Sequence, residues 1–120
     1  MAKRMLIVDD STTSRLMIRT YVRRVRPDWA FVEAAGGTEA MAAVFKERVD
    51  VASIDYNMPG MDGLTLARRI RAQLPELRMV IFTANIQRHL TTESAEVGAG
   101  LVIKPVTEGS VATMLRHFDA

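Results

Sequence analysis

Cysteine is absent from the 120-residue sequence, which excludes disulfide bonds, thiolate metal sites and a cysteine nucleophile. Aromatic residues make up only 6%, with a single tryptophan. No apolar run approaches the ~20 residues that a membrane-spanning helix needs, and no secretory signal precedes the first apolar run. These absences favour a cytoplasmic protein without membrane insertion.

A large excess of one charge is also missing, because Lys and Arg total 16 against 14 Asp and Glu. The basic residues form no run, so nucleic-acid binding is not predicted. Four arginines recur along the first predicted helix, and we interpret this stripe as a solvated face: Arg15, Arg19, Arg23 and Arg26. Abundant apolar residues, 48% of the chain, indicate a globular domain, and residues 1–120 are assigned to one domain.

Five short apolar segments alternate with five amphipathic segments. The predicted strands are 5–8, 29–34, 51–55, 79–82 and 101–103. Helices are predicted after the possible N-caps at 11–14 and at Asp62, and over about 38–47, 91–97 and 107–118. Val25 and Phe45 are assigned to buried helix faces. This alternation predicts an α/β fold, with a mainly parallel sheet covered by helices on both faces.

Reactive side chains lie at the ends of four predicted strands. They are Asp9 and Asp10 after the first, Asp55 at the third, Thr83 after the fourth and Lys104 after the fifth. The carboxyl ends of parallel strands meet at one edge of a sheet, so these side chains are expected together. Oxygen ligands without histidine or cysteine favour Mg²⁺. A carboxylate nucleophile, a cation, an ammonium and a hydroxyl form a set suited to phosphoryl transfer.

These motifs resemble those of response-regulator receiver domains of the CheY-like, stand-alone family, over nearly the whole chain. The similar segments are Val8-Asp9-Asp10, Asp55 with its turn through Gly63, Thr83-Ala84 and Lys104-Pro105. The resemblance implies a flavodoxin-like (βα)5 fold with a five-stranded parallel sheet. It also implies the strand order 2-1-3-4-5, which the pattern of residues alone does not determine.

The resemblance implies that Asp55 accepts a phosphoryl group from the phosphohistidine of a histidine kinase or phosphotransfer domain. Mg²⁺, or Mn²⁺, would be held by Asp10, Asp55 and the backbone carbonyl of Asn57, with Asp9 acting through water. Lys104 would pair with the phosphoryl oxygens. Such a protein promotes its own phosphorylation and dephosphorylation without being a conventional enzyme.

Thr83 would move to hydrogen-bond the phosphate and so act as the switch residue. Leu101 stands where the family often has an aromatic residue, so a ring-flip account does not transfer. Asn57 and Asn85 would tune the lifetime of the phosphate, and Pro105 would fix the peptide after Lys104. The output would be a protein partner, such as the flagellar motor switch or a phosphatase, on the fourth helix, fifth strand and fifth helix.

Four alternatives stay open. A flavin electron carrier could use the loop at 11–14, but Asp9 and Asp10 would repel an FMN phosphate. A haloacid-dehalogenase-like phosphatase would have aspartate where Asn57 stands. A phosphorylation-independent binding module is kept open by Leu101. A receiver domain cut from a longer regulator is also possible, although the end after the fifth helix favours a stand-alone chain.

Overall fold

The computed structural model describes residues 2–120 as five strands that alternate with five helices. The strands are β1 (Arg4–Val8), β2 (Ala30–Ala34), β3 (Val51–Asp55), β4 (Arg78–Thr83) and β5 (Ala99–Ile103). The helices are α1 (Thr12–Val25), α2 (Gly37–Lys46), α3 (Gly63–Gln73), α4 (Arg88–Val97) and α5 (Glu108–Asp119). The strands form one parallel sheet in the order β2-β1-β3-β4-β5, which confirms the predicted fold class and order.

Helices cover both faces of this sheet. One apolar layer holds side chains of α2, α3 and α4, including Val44, Ile70 and Leu90. The other holds side chains of α1 and α5, including Ile18 and Phe118. Every residue of β3 is buried, because this central strand is covered on both faces and contributes alternate side chains to each layer. The reactive end of β3 therefore projects from a strand whose residues are all buried.

Polar caps mark three of the helix starts. The side-chain oxygens of Ser11, Asp62 and Thr107 accept hydrogen bonds from backbone N–H groups in the first turns of α1, α3 and α5. The fourth helix begins at Arg88 and not near residue 91, so the predicted boundary was wrong. Its N-cap, Gln87, makes no side-chain capping bond, and the sequence accordingly carries no cap signal there.

Two side chains that were assigned to buried helix faces are exposed. Phe45 is 68% exposed because its neighbour Val44 occupies the inward position of α2. Val25, the last residue of α1, is 55% exposed and borders a depression between α1 and α5.

Among the helices described in residues 2–120, none combines the length and the apolar character needed to cross a membrane.

Candidate active site at the carboxyl edge of the sheet

Backbone pairing fixes the strand ends that carry the predicted site residues. The N–H of Asp9 donates to the carbonyl of Ala34, 3.1 Å away, and so ties the end of β1 to β2. The N–H of Lys104 donates to the carbonyl of Thr83 at 2.8 Å, which joins the ends of β5 and β4. Tyr56, directly after β3, donates in the same way to β4. The predicted residues are thus brought to a single edge by the sheet itself.

Three carboxylates meet at this edge. One oxygen each from Asp9, Asp10 and Asp55 lies within 4.8 Å of the others. Asp9 is 1% exposed and Asp55 is 4% exposed, whereas Asp10 faces solvent. Like charges held this close repel one another, and a bound cation is one way to offset that repulsion. An all-carboxylate set open to water on one side fits Mg²⁺, which keeps several waters in its coordination shell.

Lys104 supplies the positive charge of the site. Its Nζ lies 2.9 Å from Oδ1 of Asp55 and 3.4 Å from Oδ2 of Asp9. Burial raises the pKa of the Asp55 carboxyl and the charges of Asp9 and Asp10 raise it further, against the opposing hydrogen bond from Lys104. Burial by itself would lower the pKa of Lys104, but its hydrogen bond to Asp55 and the attraction of Asp9 outweigh burial and raise it. Lys104 therefore stays charged. The peptide bond between Lys104 and Pro105 is cis.

Thr83 is buried at the end of β4, but its hydroxyl is engaged within its own loop. The hydroxyl donates to the carbonyl of Asn85 at 3.0 Å and accepts from the N–H of Asn85 at 3.3 Å. Asn85 and Asn57 are both exposed, each two residues beyond a strand end. Leu101 is half-buried in β5, opposite Ile81 of β4. The structure thus brings Thr83 to the edge of the sheet, where its hydroxyl is hydrogen-bonded to the backbone of Asn85.

The turn after Asp55 is held by a close contact that the sequence did not reveal. A Cβ on Gly63 would lie 2.5 Å from the carbonyl oxygen of Asp55 and 2.9 Å from Cα of Tyr56. The N–H of Gly63 also donates to the carbonyl of Tyr56 at 2.9 Å. Only glycine lets α3 begin this close to the strand end. The neighbouring Gly60 has φ +82°, which is a conformation that favours glycine.

Arg15 is a second residue that the sequence did not single out for the site. Its guanidinium donates to the backbone carbonyl of Asp9 at 2.5 Å and to Oε1 of Glu33 at 3.0 Å. The only sequence signal is its position one helical turn after Ser11, the N-cap of α1. That spacing directs the side chain back toward the start of the helix.

Comparisons with known proteins identify the family and the fold. The family model of the response regulator receiver domain matches residues 5–116. Chemotaxis protein CheY of Pseudomonas aeruginosa is 37% identical over 110 residues, which cover 87% of this chain and 86% of that protein. Sporulation initiation phosphotransferase F of Bacillus subtilis is 32% identical over 99 residues, with coverages of 82% and 78%. The solved structure of chemotaxis protein CheY4 of Vibrio cholerae has a TM-score of 0.88 at 28% identity, covering 98% of this chain and 99% of that one.

Proposed function

This chain belongs to the response regulator receiver domain family of two-component signalling, and we propose that Asp55 is its phosphoryl acceptor. Receiver domains interact with histidine kinases or phosphotransfer proteins, so the donor would be a phosphohistidine. A carboxylate oxygen of Asp55 forms a bond to phosphorus as the P–N bond breaks, and the electron pair of that bond stays with the imidazole. One observation carries this proposal: the buried carboxylate of Asp55 lies 2.9 Å from the ammonium of Lys104, inside a cluster of three carboxylates.

Receiver domains bind Mg²⁺ through an acidic cluster, and the residues here fit such an ion. Asp10, Asp55 and the backbone carbonyl of Asn57 would hold it, and Asp9 would act through water. When bound, the ion neutralises charge on the phosphoryl oxygens. A solved receiver, the response regulator TrrA of Thermotoga maritima, contains Mg²⁺ with BeF; its likeness, at 24% identity and a TM-score of 0.81, concerns the fold alone.

Lys104 neutralises the charge that the incoming group brings. In the unphosphorylated protein its ammonium is shared between Asp55 and Asp9. Transfer would turn the attacking oxygen of Asp55 into the bridging oxygen of an acyl phosphate and add phosphoryl oxygens in front of Lys104. The hydrogen bond to Asp55 and the charge of Asp9 raise the pKa of Lys104, so the ammonium is charged when the phosphoryl group arrives. Electrostatic stabilisation of this kind is the main contribution a protein makes to phosphoryl transfer.

Thr83 would carry the signal away from the site. To reach a phosphoryl oxygen its hydroxyl must release Asn85, which would shift the loop at 84–87 and the start of α4. This start has no side-chain cap to resist such a shift. Leu101 would repack beside Thr83 in place of the aromatic residue often found there, and the exposed Asn57 and Asn85 would tune the lifetime of the phosphate.

The surface formed by α4, β5 and α5 would be the output. Ile86 and Ile103 are 46% and 54% exposed there. With Leu101 they border a shallow depression of about 350 Å³. Exposed apolar side chains around a polar-rimmed depression suit a protein partner. The likeness to chemotaxis relatives favours the flagellar motor switch or a phosphatase as that partner.

Intact-mass measurement after incubation with acetyl phosphate tests this function. The expected result is a gain of one phosphoryl group that requires Mg²⁺ and disappears in Asp55→Asn. The matched control is Asp62→Asn, because Asp62 is an exposed carboxylate in the same turn and asparagine also caps helices well. A folded wild-type protein that gains no mass would overturn the proposal and favour a phosphorylation-independent binding module.

A further inference from the structure

The guanidinium of Arg15 bridges the end of β1 and the end of β2. One terminal nitrogen donates to the carbonyl oxygen of Asp9, Nε donates to Glu33 and the other terminal nitrogen donates to Thr12. The Arg15 side chain is only 15% exposed. Its guanidinium is therefore held on three sides, so the interpretation of Arg15 as part of a solvated face was wrong.

The carbonyl that Arg15 contacts belongs to the peptide that joins Asp9 to Asp10. The orientation of this peptide decides how the two carboxylates point relative to each other. Its other restraints act on Asp9 alone. The N–H of Asp9 binds Ala34, Oδ1 of Asp9 accepts from the N–H of Ser11 at 2.9 Å, and Oδ2 of Asp9 pairs with Lys104 at 3.4 Å. Among the side-chain hydrogen bonds described in residues 2–120, the one from Arg15 is the restraint on the Asp9 carbonyl.

We propose that Arg15 is a positioning residue that sets the Mg²⁺ affinity of the acidic cluster by fixing the Asp9–Asp10 peptide. This inference rests on the proposed function, since it concerns the metal site of that function. Groups that orient metal ligands without touching the metal typically change affinity by 10- to 100-fold when they are removed. Because Arg15 is partly exposed, its replacement is expected to weaken Mg²⁺ binding by about 10-fold, at the lower limit of this range.

A purely electrostatic role would have the opposite sign. A cation beside three carboxylates competes with the metal, so its removal would tighten Mg²⁺ binding by about fourfold for one positive charge ~10 Å from the divalent ion in water. Glu33 already balances much of this charge, because it accepts from Arg15 and, through its other oxygen, from Arg19. The direction of the change in affinity therefore separates the two roles.

Arg19 offers a matched control. It pairs with the same carboxylate of Glu33, but it makes no hydrogen bond to the Asp9–Asp10 segment. Replacing Arg19 with methionine removes an arginine of the same stripe and leaves the peptide restrained. The variant Arg15→Lys keeps the charge and loses the planar fork that reaches two acceptors at once.

NMR titration of the full chain with Mg²⁺ tests the inference. Arg15→Met and Arg15→Lys should each bind about 10-fold more weakly than wild type, and Arg19→Met should bind no more weakly than wild type and at most about fourfold more tightly. Tighter binding by Arg15→Met, or unchanged binding by Arg15→Lys, would overturn it. If Arg15→Met does not fold, Arg15→Lys still decides the outcome.

A second readout needs no metal. In metal-free protein the N–H of Ser11 should exchange with solvent faster in both Arg15 variants than in wild type and Arg19→Met, because its acceptor on Asp9 is less well oriented. Unchanged exchange would contradict the positioning role. A wild-type protein that binds no Mg²⁺ would count against the proposed function, while faster exchange at Ser11 in the Arg15 variants would still support the role of Arg15.

Discussion

Replacing Gly63 with alanine should damage both stability and phosphorylation. The added Cβ would lie 2.5 Å from the carbonyl oxygen of Asp55, 2.9 Å from Cα of Tyr56 and 3.0 Å from the carbonyl carbon of Asp55. These atoms are all backbone, so no side-chain rotation can relieve the overlap. Gly63 does not have a left-handed φ, and the cost therefore comes from space alone. The strand end that carries Asp55 must move.

The magnitude follows from two opposing contributions. Overpacking a well-filled region typically lowers the free energy of unfolding by ~1–3 kcal/mol. Because the added Cβ would meet backbone atoms, the cost at Gly63 should lie at the upper limit, about 3 kcal/mol. Alanine gains about 1 kcal/mol over glycine in a helix, which offsets part of that cost at the first residue of α3. The free energy of unfolding should thus fall by about 2 kcal/mol, which corresponds to a drop in Tm of roughly 8 °C for a chain of this size.

Gly109→Ala is the matched control. Gly109 is the second residue of α5, and its nearest contact would be the hydroxyl of Thr107 at 3.8 Å, an ordinary separation. This variant should be as stable as wild type or more stable by about 0.5 kcal/mol. Urea unfolding measures both effects, and the rate of phosphorylation by acetyl phosphate should fall in Gly63→Ala alone. A Gly63→Ala protein with wild-type stability and wild-type phosphorylation would refute this reasoning.

Three further predictions concern the charges of the site. Asp55→Asn should raise the free energy of unfolding of the metal-free protein, measured by urea unfolding. Burial raises the pKa of Asp55 in the folded state, so its ionisation costs stability, and the gain should grow as pH rises from about 4 through the raised pKa of Asp55. Mg²⁺ at about ten times its Kd should stabilise the wild-type protein by about 1.4 kcal/mol, and a chelator or Asp10→Asn should abolish the shift in Tm. Lys104→Met should slow phosphorylation by acetyl phosphate by about 100-fold, and Lys104→Arg should restore only part of the rate. A wild-type rate in Lys104→Met would show that Lys104 takes no part in the mechanism.

The pattern of residues was sufficient to predict a parallel α/β sheet and the side chains at its carboxyl edge, whereas the strand order came from the family resemblance. Continuous apolar runs identify strands that are buried on both faces, and topology alone then brings Asp55 and Lys104 to the same edge as the acidic pair. Periodicity could not decide between the adjacent apolar residues Val44 and Phe45, since either one can take the inward position of a short helix. The start of α4 was misplaced because Gln87 provides no cap.

Individual hydrogen bonds and close approaches at the sheet edge were beyond sequence reasoning. The hydroxyl of Thr83 binds Asn85 in its own loop, a choice between local and distant partners that residue types do not determine. Arg15 reaches Asp9 and Glu33 because α1 crosses the ends of both β1 and β2. Gly63 is required by a backbone approach that only the assembled turn creates. The contacts of Arg15 and Gly63 depend on how elements pack, and not on the pattern within one element.

Borohydride reduction of the phosphorylated protein, followed by peptide mass spectrometry, identifies the acceptor residue directly. Reduction converts an aspartyl phosphate into homoserine and leaves ordinary aspartates unchanged. Homoserine is expected at position 55 alone, and only after incubation with both Mg²⁺ and the phosphodonor. Homoserine at Asp9, Asp10 or Asp62 with Asp55 intact, or a phosphoryl group retained on a histidine, would contradict the assignment of Asp55 as the phosphoryl acceptor.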